Sequence, residues 1–199
     1  MLRDYPKEVT LRSGDKVILR PMVKEDEQKL LEFFSNLPEK DRLFLKDDVT
    51  DPKVIESWAR SLNYEHVIPI VAEIGDRIIG DATLHRRTTD QPPDIGEIRI
   101  VTDRHFRRRG LGTMLAKEIY YLALSLKLNR LVAEVVEDQH TVIKTFESLG
   151  FRHKTILKNQ AIDLHGMKHN LVIMTEDVDA LWKTIEDLID KDTAHYSRE

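Results

Sequence analysis

The segment that most restricts how this 199-residue chain can fold is Arg107-Arg-Arg-Gly-Leu-Gly112-Thr113. It joins a β-rich run over residues 97–102 to an amphipathic run from 110 to about 127, in which Leu111, Leu115, Ile119, Leu122 and Leu126 share one face. A strand's trailing loop therefore becomes a helix across two glycines. A helix start leaves about four N–H groups without partners and carries partial positive charge. Gly110 and Gly112 keep side chains away from those donors and allow positive φ. With Arg107, Arg108 and Arg109 beside it, the junction is a backbone nest suited to the phosphates of a small polyanion. No Gly-x-x-x-x-Gly-Lys-Ser/Thr is present, and Gly-x-Gly in mid-chain falls short of a dinucleotide fingerprint.

The rest of the pattern alternates strands and helices. Residues 9–12 and 16–20 read as strands joined through Ser13-Gly14-Asp15. Leu30, Phe33, Phe34 and Leu37 form a helical stripe closed by Pro38. A second helix opens with Asp51 as N-cap and Pro52 in its first position, with Val54, Ile55, Trp58, Ala59 and Leu62 as its apolar face. Strands are expected over 67–73 and 77–87 around a Gly75-Asp76 turn, then a loop over 88–95. A strand over 131–136, a helix over 139–149 ended by Gly150, and a strand pair over 151–157 and 168–175 follow. Val178, Leu181, Trp182, Ile185 and Leu188 mark an acidic C-terminal helix.

Composition narrows the function. With 41% hydrophobic and 33% charged residues the chain is globular, and no apolar stretch approaches the ~18 residues of a membrane span. The first six residues lack the apolar core of a secretory signal, and cysteine is absent, so disulfides and thiolate chemistry are excluded and the cytoplasm is the expected location. A net charge of −4 argues against nucleic acid as partner. His165 and His169 lie four apart without the surrounding ligands of a metal site, so no metal is expected.

Arg107-x-x-Gly110-x-Gly112 resembles the Gln/Arg-x-x-Gly-x-Gly/Ala signature of the GNAT superfamily of acyl-CoA-dependent N-acyltransferases. Phe146-Glu-Ser-Leu-Gly-Phe151 resembles that family's Tyr-Glu-x-Leu-Gly-Phe, and the closing strand pair around Asp163-Leu-His-Gly166 looks like its last hairpin. The resemblance implies a mixed α+β fold: a twisted, mostly antiparallel sheet with one splayed parallel strand pair, flanked by helices. It spans about residues 9–175, giving a GNAT domain over 1–175 and an acidic helical extension over 176–199. The opening residues 9–21, with Glu25-Asp26, are similar to Pat-type bacterial protein-lysine acetyltransferases.

The same resemblance implies acetyl-CoA as cosubstrate and an amine as acceptor, a protein lysine in the Pat-type enzymes. Residues Arg107, Arg108, Arg109, Gly110, Leu111, Gly112 and Thr113 would hold the pyrophosphate, Ile100, Val101 and Thr102 the pantetheine arm, with Gln139 and Phe146 also against the coenzyme. Glu97, 13 positions before Gly110, stands where the family carries its catalytic glutamate. An alkylamine is only about one part in 2,500 neutral at pH 7, so a base is the most valuable catalytic group. The plainer reading of Glu97 is an ion pair with Arg99. Phe146 replaces a tyrosine that would protonate the leaving thiolate; Tyr120 and His140 are alternatives, the former better suited to helix packing. Two classes of function stand open: an N-acetyltransferase and a non-catalytic acyl-CoA sensor. Asp47, Asp48 and Asp163 are candidates to attract a cationic amine, and the acidic helix is a solvated face, a docking surface for a basic protein or a homodimer contact.

Overall fold

The computed structural model describes residues 2–43, 45, 47–86 and 95–196, with side chains in the last helix as far as Asp187. Strands β1 (Lys7–Thr10) and β2 (Lys16–Pro21) form the first hairpin. A 3-10 turn at Lys24–Asp26 leads into α1 (Glu27–Ser35), followed by α2 (Glu39–Arg42) and α3 (Pro52–Arg60). Strands β3 (Val67–Ile74), β4 (Arg77–Arg86) and β5 (Ile95–Thr102) come next, then α4 (Leu111–Ser125) and β6 (Arg130–Val136). Helix α5 (His140–Ser148), strands β7 (His153–Ile162) and β8 (Lys168–Asp177), and α6 (Val178–Tyr196) complete the chain. One sheet runs β1-β2-β3-β4-β5-β6-β8-β7, with β5–β6 as its parallel pair among the described residues.

Local chemistry explains most boundaries. Asp51 Oδ1 accepts the Lys53 N–H at 2.9 Å and Pro52 fills the first position of α3, both as expected. Gly150 ends α5 at φ 107°. Helix α2 and the 3-10 turn lie outside the periodicity reading, because segments of three or four residues carry no helical stripe. The loop expected over 88–95 falls largely on residues outside those described, as does the Leu188 side chain.

Two apolar layers sandwich the sheet. On one face Ile68, Ile70, Ala82, Leu84 and Ile98 pack against Leu111, Leu115, Ile119 and Leu122 of α4. Helix α6 joins this layer through Val178, Leu181 and Ile185, so its apolar stripe is core. On the other face Val71 and Ile78 meet Leu30, Phe33, Phe34, Ile55 and Ala59 of α1 and α3. An ion-pair cluster seats α1 there: Arg20 grips both oxygens of buried Asp26 at 2.7 Å and reaches Glu73 at 2.8 Å, with Lys29 on Glu73 at 2.7 Å. Burial alone would raise the Asp26 carboxyl, but Arg20 and the Val23 N–H outweigh it and hold it below the usual range.

The narrowest approach in the core is at Gly96, where a Cβ would lie 2.7 Å from Leu84 Cδ1, 2.9 Å from Leu128 Cδ1 and 3.0 Å from Leu131 Cδ2. All three leucines are buried and cannot withdraw together. Gly96→Ala is expected to cost about 1–3 kcal/mol by overpacking, read as a lower urea midpoint. An unchanged midpoint would show that this layer has slack.

Candidate active site

The site begins where β5 and β6 part. Their pairing covers Ile95–Arg130, Gly96–Leu131 and Glu97–Val132 and then stops. Beyond that rung β5 stays on β4 as far as Thr102–Gly80, while β6 stays on β8 as far as Val136–Leu171. The result is a wedge-shaped gap with about 13 Å of open strand edge from Ile98 to Thr102. In an antiparallel ladder alternate residues bond the partner strand. Asp103 donates its N–H to Ile79 O at 2.8 Å, so the same alternation turns Val101 to β4 and turns the main-chain groups of Ile100 and Thr102 into the gap. Gln139 caps the far wall, its N–H on Val136 O at 2.9 Å where β6 ends.

The glycine turn closes the open end. Gly110 has φ 88°, a left-handed conformation, and α4's first bond runs from Met114 N–H to Gly110 O at 3.0 Å. The N–H groups of Leu111, Gly112 and Thr113 therefore precede the helical ladder. Among the described residues, nothing outside the helix's own backbone and the adjoining residues lies within 4 Å of the place a Gly112 Cβ would take, leaving room for a ligand against those amides. The arginine run is only partly available as charge. Arg107 pairs with Asp41 of α2 at 2.8 Å, and Arg109 pairs with Asp15 at 3.1 Å while lying over the Phe106 ring. Neither carboxylate was visible in the local sequence.

On the sheet face under α1 and α3 a polar row crosses the neck of the gap. Cross-strand register sets Asp81 opposite Val101, Thr83 opposite Arg99 and His85 opposite Glu97. Glu97 is 8% exposed, and its Oε1 accepts from Arg99 Nε at 2.8 Å and Nη2 at 2.7 Å. The ion pair and the position at the wedge's apex are thus both present. Phe146 is buried edge-to-face on Phe151 at 5.3 Å, and Tyr120 is fully buried with its hydroxyl on Leu149 O at 3.1 Å, as its packing role predicted.

The β7–β8 turn shows polar work that the sequence did not reveal. Asp163 is buried, accepts the N–H groups of His165 and Met167 at 2.8 and 2.9 Å, and bonds His169 Nε2 at 2.9 Å. His169 Nδ1 meets Asp138 at 2.9 Å, so the imidazole ties the hairpin to the loop that carries Gln139. Asp163 and then Asp138 raise the His169 pKa, and the same bond to His169 lowers that of Asp163. Asp163 is a turn-builder rather than a surface attractor for an amine, and Asp48 is bonded to Thr50. The turn also reaches α2 through Leu164 N–H to Leu43 O at 3.2 Å and His165 to Glu39 at 3.2 Å. One short helix thereby links the arginine loop to the last hairpin.

Asp81 is a carboxylate that sequence reasoning missed. Its register neighbours Val71 and Val101 belong to the apolar layer, and burial raises its pKa from 3.8 to about 7 against the opposing pull of Thr83 and Arg99. A carboxyl that holds its proton more tightly when folded costs stability as pH rises from about 4 through 7. Asp81→Asn is therefore expected to raise Tm at pH 8 and to leave it near wild type at about pH 4.5. Equal shifts at both pH values would contradict this environment.

Comparison with known proteins agrees with the geometry. The model of the Acetyltransferase (GNAT) family matches residues 30–151. Among solved structures, the GNAT domain of S. lividans PAT superposes with TM-score 0.70 at 21% identity, covering 87% of this chain and 99% of that one. A ribosomal-protein-S5-alanine acetyltransferase from Vibrio fischeri gives TM-score 0.71 at 15% identity, over 82% and 93%. Salmonella typhimurium yncA, a putative acetyltransferase solved with acetyl-CoA, gives 0.69 at 18% identity, over 81% and 94%. Of the two classes of function, the transferase holds: the chain belongs to the Acetyltransferase (GNAT) family and is an acetyl-CoA-dependent N-acetyltransferase.

Proposed function

We propose that this enzyme acetylates a lysine side chain of a protein, with Glu97 as general base. The observation that carries the base assignment is the position of Glu97 on the last paired rung of β5 and β6, at the apex of the gap. A thioester arm entering from the glycine turn along Ile100 and Thr102 brings its acyl end to that apex. The acceptor approaches from the sheet face on which Glu97, Arg99 and Asp81 lie. The similarity of residues 9–21, with Glu25-Asp26, to Pat-type protein-lysine acetyltransferases supports a protein lysine as acceptor.

The amine nitrogen attacks the thioester carbonyl carbon, and main-chain N–H groups at the gap edge hold the developing oxyanion. The proton leaves nitrogen for Glu97, directly or through one water, and the C–S bond breaks. Arg99 fixes the carboxylate's direction by taking one of its oxygens through two N–H bonds. The departing thiolate needs less help than the amine: a thiol near 8.5 gives up its proton about two units more readily than an ammonium near 10.4. Phe146 in place of a hydroxyl donor thus slows the step without stopping it.

Mass spectrometry of a lysine-bearing peptide library and common polyamines after incubation with acetyl-CoA tests the acceptor. Nε-acetyl-lysine is expected; products confined to α-amino groups or polyamines would overturn the assignment. Glu97→Gln should lower kcat at least about tenfold while coenzyme affinity persists, and equal turnover would remove Glu97 from the mechanism. Gly112→Asp, which sets a carboxylate before the first amides of α4, should weaken coenzyme A binding by about tenfold or more. Unchanged affinity would contradict the phosphate-nest assignment.

A further inference from the structure

Both nitrogens of one imidazole are engaged by carboxylates from different parts of the chain. His169 is the second residue of β8; its Nε2 lies 2.9 Å from Asp163 in the β7–β8 turn, and its Nδ1 lies 2.9 Å from Asp138 in the loop between β6 and α5. The two acids differ in setting. Asp163 is buried and its other oxygen already accepts the main-chain N–H groups of His165 and Met167. The Asp138 side chain is 70% exposed. Neighbouring charges are turned elsewhere: Glu137 accepts from Asn170 Nδ2 at 2.8 Å, His165 meets Glu39 of α2 at 3.2 Å, and Lys168 falls on the other sheet face by strand alternation. Across the ladder in β7 the partner of His169 is Ala161, which carries no charge.

An imidazolium donates to both carboxylates, whereas a neutral ring has one N–H and must turn a lone pair on one of them. Surroundings decide which acid is let go. Leaving the buried Asp163 oxygen without its donor is costly, while Asp138 can turn to water. We propose that Asp163, His169 and Asp138 form a pH-sensitive clasp at the mouth of the gap, closed while the ring carries both protons and opened at Asp138 when it loses one. The bonds to Asp163 and then Asp138 raise the His169 pKa above its ordinary 6.5. The stability the clasp contributes is therefore complete below pH 6.5 and is lost as pH rises through the folded-state value. Opening frees the loop that carries Gln139 at the end of β6 from the β7–β8 turn, which stays joined to α2 through Leu164 N–H and Leu43 O. The clasp works the same way whichever amine the enzyme takes.

NMR of the ligand-free enzyme between about pH 5.5 and 9 follows both the His169 ring and the exchange of the Gln139 amide, whose N–H is bonded to Val136 O at 2.9 Å. Exchange is divided by the intrinsic rate at each pH. The expected result is a His169 midpoint above 6.5, with Gln139 protection falling about tenfold across the same transition. In Asp138→Asn, an exposed position that leaves the core untouched, the side-chain amide accepts from the imidazolium and donates to the neutral ring. The clasp then stays closed at every pH, and the Gln139 step should vanish. A His169 midpoint at or below 6.5, or Gln139 protection that stays level through the wild-type transition, overturns the proposal. So does a step that persists in Asp138→Asn. A step at the His165 and Met167 amides in place of Gln139 would show that the buried side opens and would refute the release of Asp138.

Discussion

Everything in this site depends on β5 and β6 ceasing to pair after Glu97 and Val132. Both strands continue, and each keeps its outer neighbour, so the sheet is not frayed; it is split along one seam. The split exposes main-chain donors and acceptors that an ordinary sheet would satisfy, and such groups require partners from water or a ligand. The neighbours hold the seam open. On one side β4 and the α4 layer grip β5; on the other β8 grips β6, and His169 and Asn170 fasten the loop beyond it to β8. An amide-rich slot of this kind suits a long, thin, amide-bearing arm.

Electrostatics then sorts the two ends. The open end offers helix amides and arginines already leaning on Asp15 and Asp41, which keeps the loop ordered and moderates its positive potential. Carboxylates on one sheet face sit in unlike settings: Glu97 at the apex is bridged to Arg99, and Asp81, opposite Val101 toward the open end, is set among valines with its pKa raised to about 7. Their face is the one α1 and α3 cover, opposite α4.

The legible parts of this molecule are those whose causes are local. Asp51 and Pro52 announce α3 within two residues, Gly75-Asp76 turns β3 into β4, and Arg107 to Thr113 spells out a strand-to-helix nest. The Glu97–Arg99 pair was readable because residues two apart on a strand share a face. The seam was not: pairing and its interruption are set by neighbours across the sheet, and only the family resemblance supplied it. The same holds for Arg107 with Asp41 and Arg109 with Asp15, whose partners lie 66 and 94 positions away. Asp81 escaped notice because an acid in a strand looks solvent-facing until the valines on either side are placed.

Amide hydrogen exchange, with and without acetyl-CoA, addresses the seam itself. The main-chain N–H groups of Ile100 and Thr102 and those of Leu111 to Thr113 should exchange readily in the free protein and become protected together on addition of the coenzyme, while Val101, bonded to β4, stays slow in both. Protection of the helix amides without any change at Ile100 and Thr102 would contradict the view that the split between β5 and β6 receives the thioester arm.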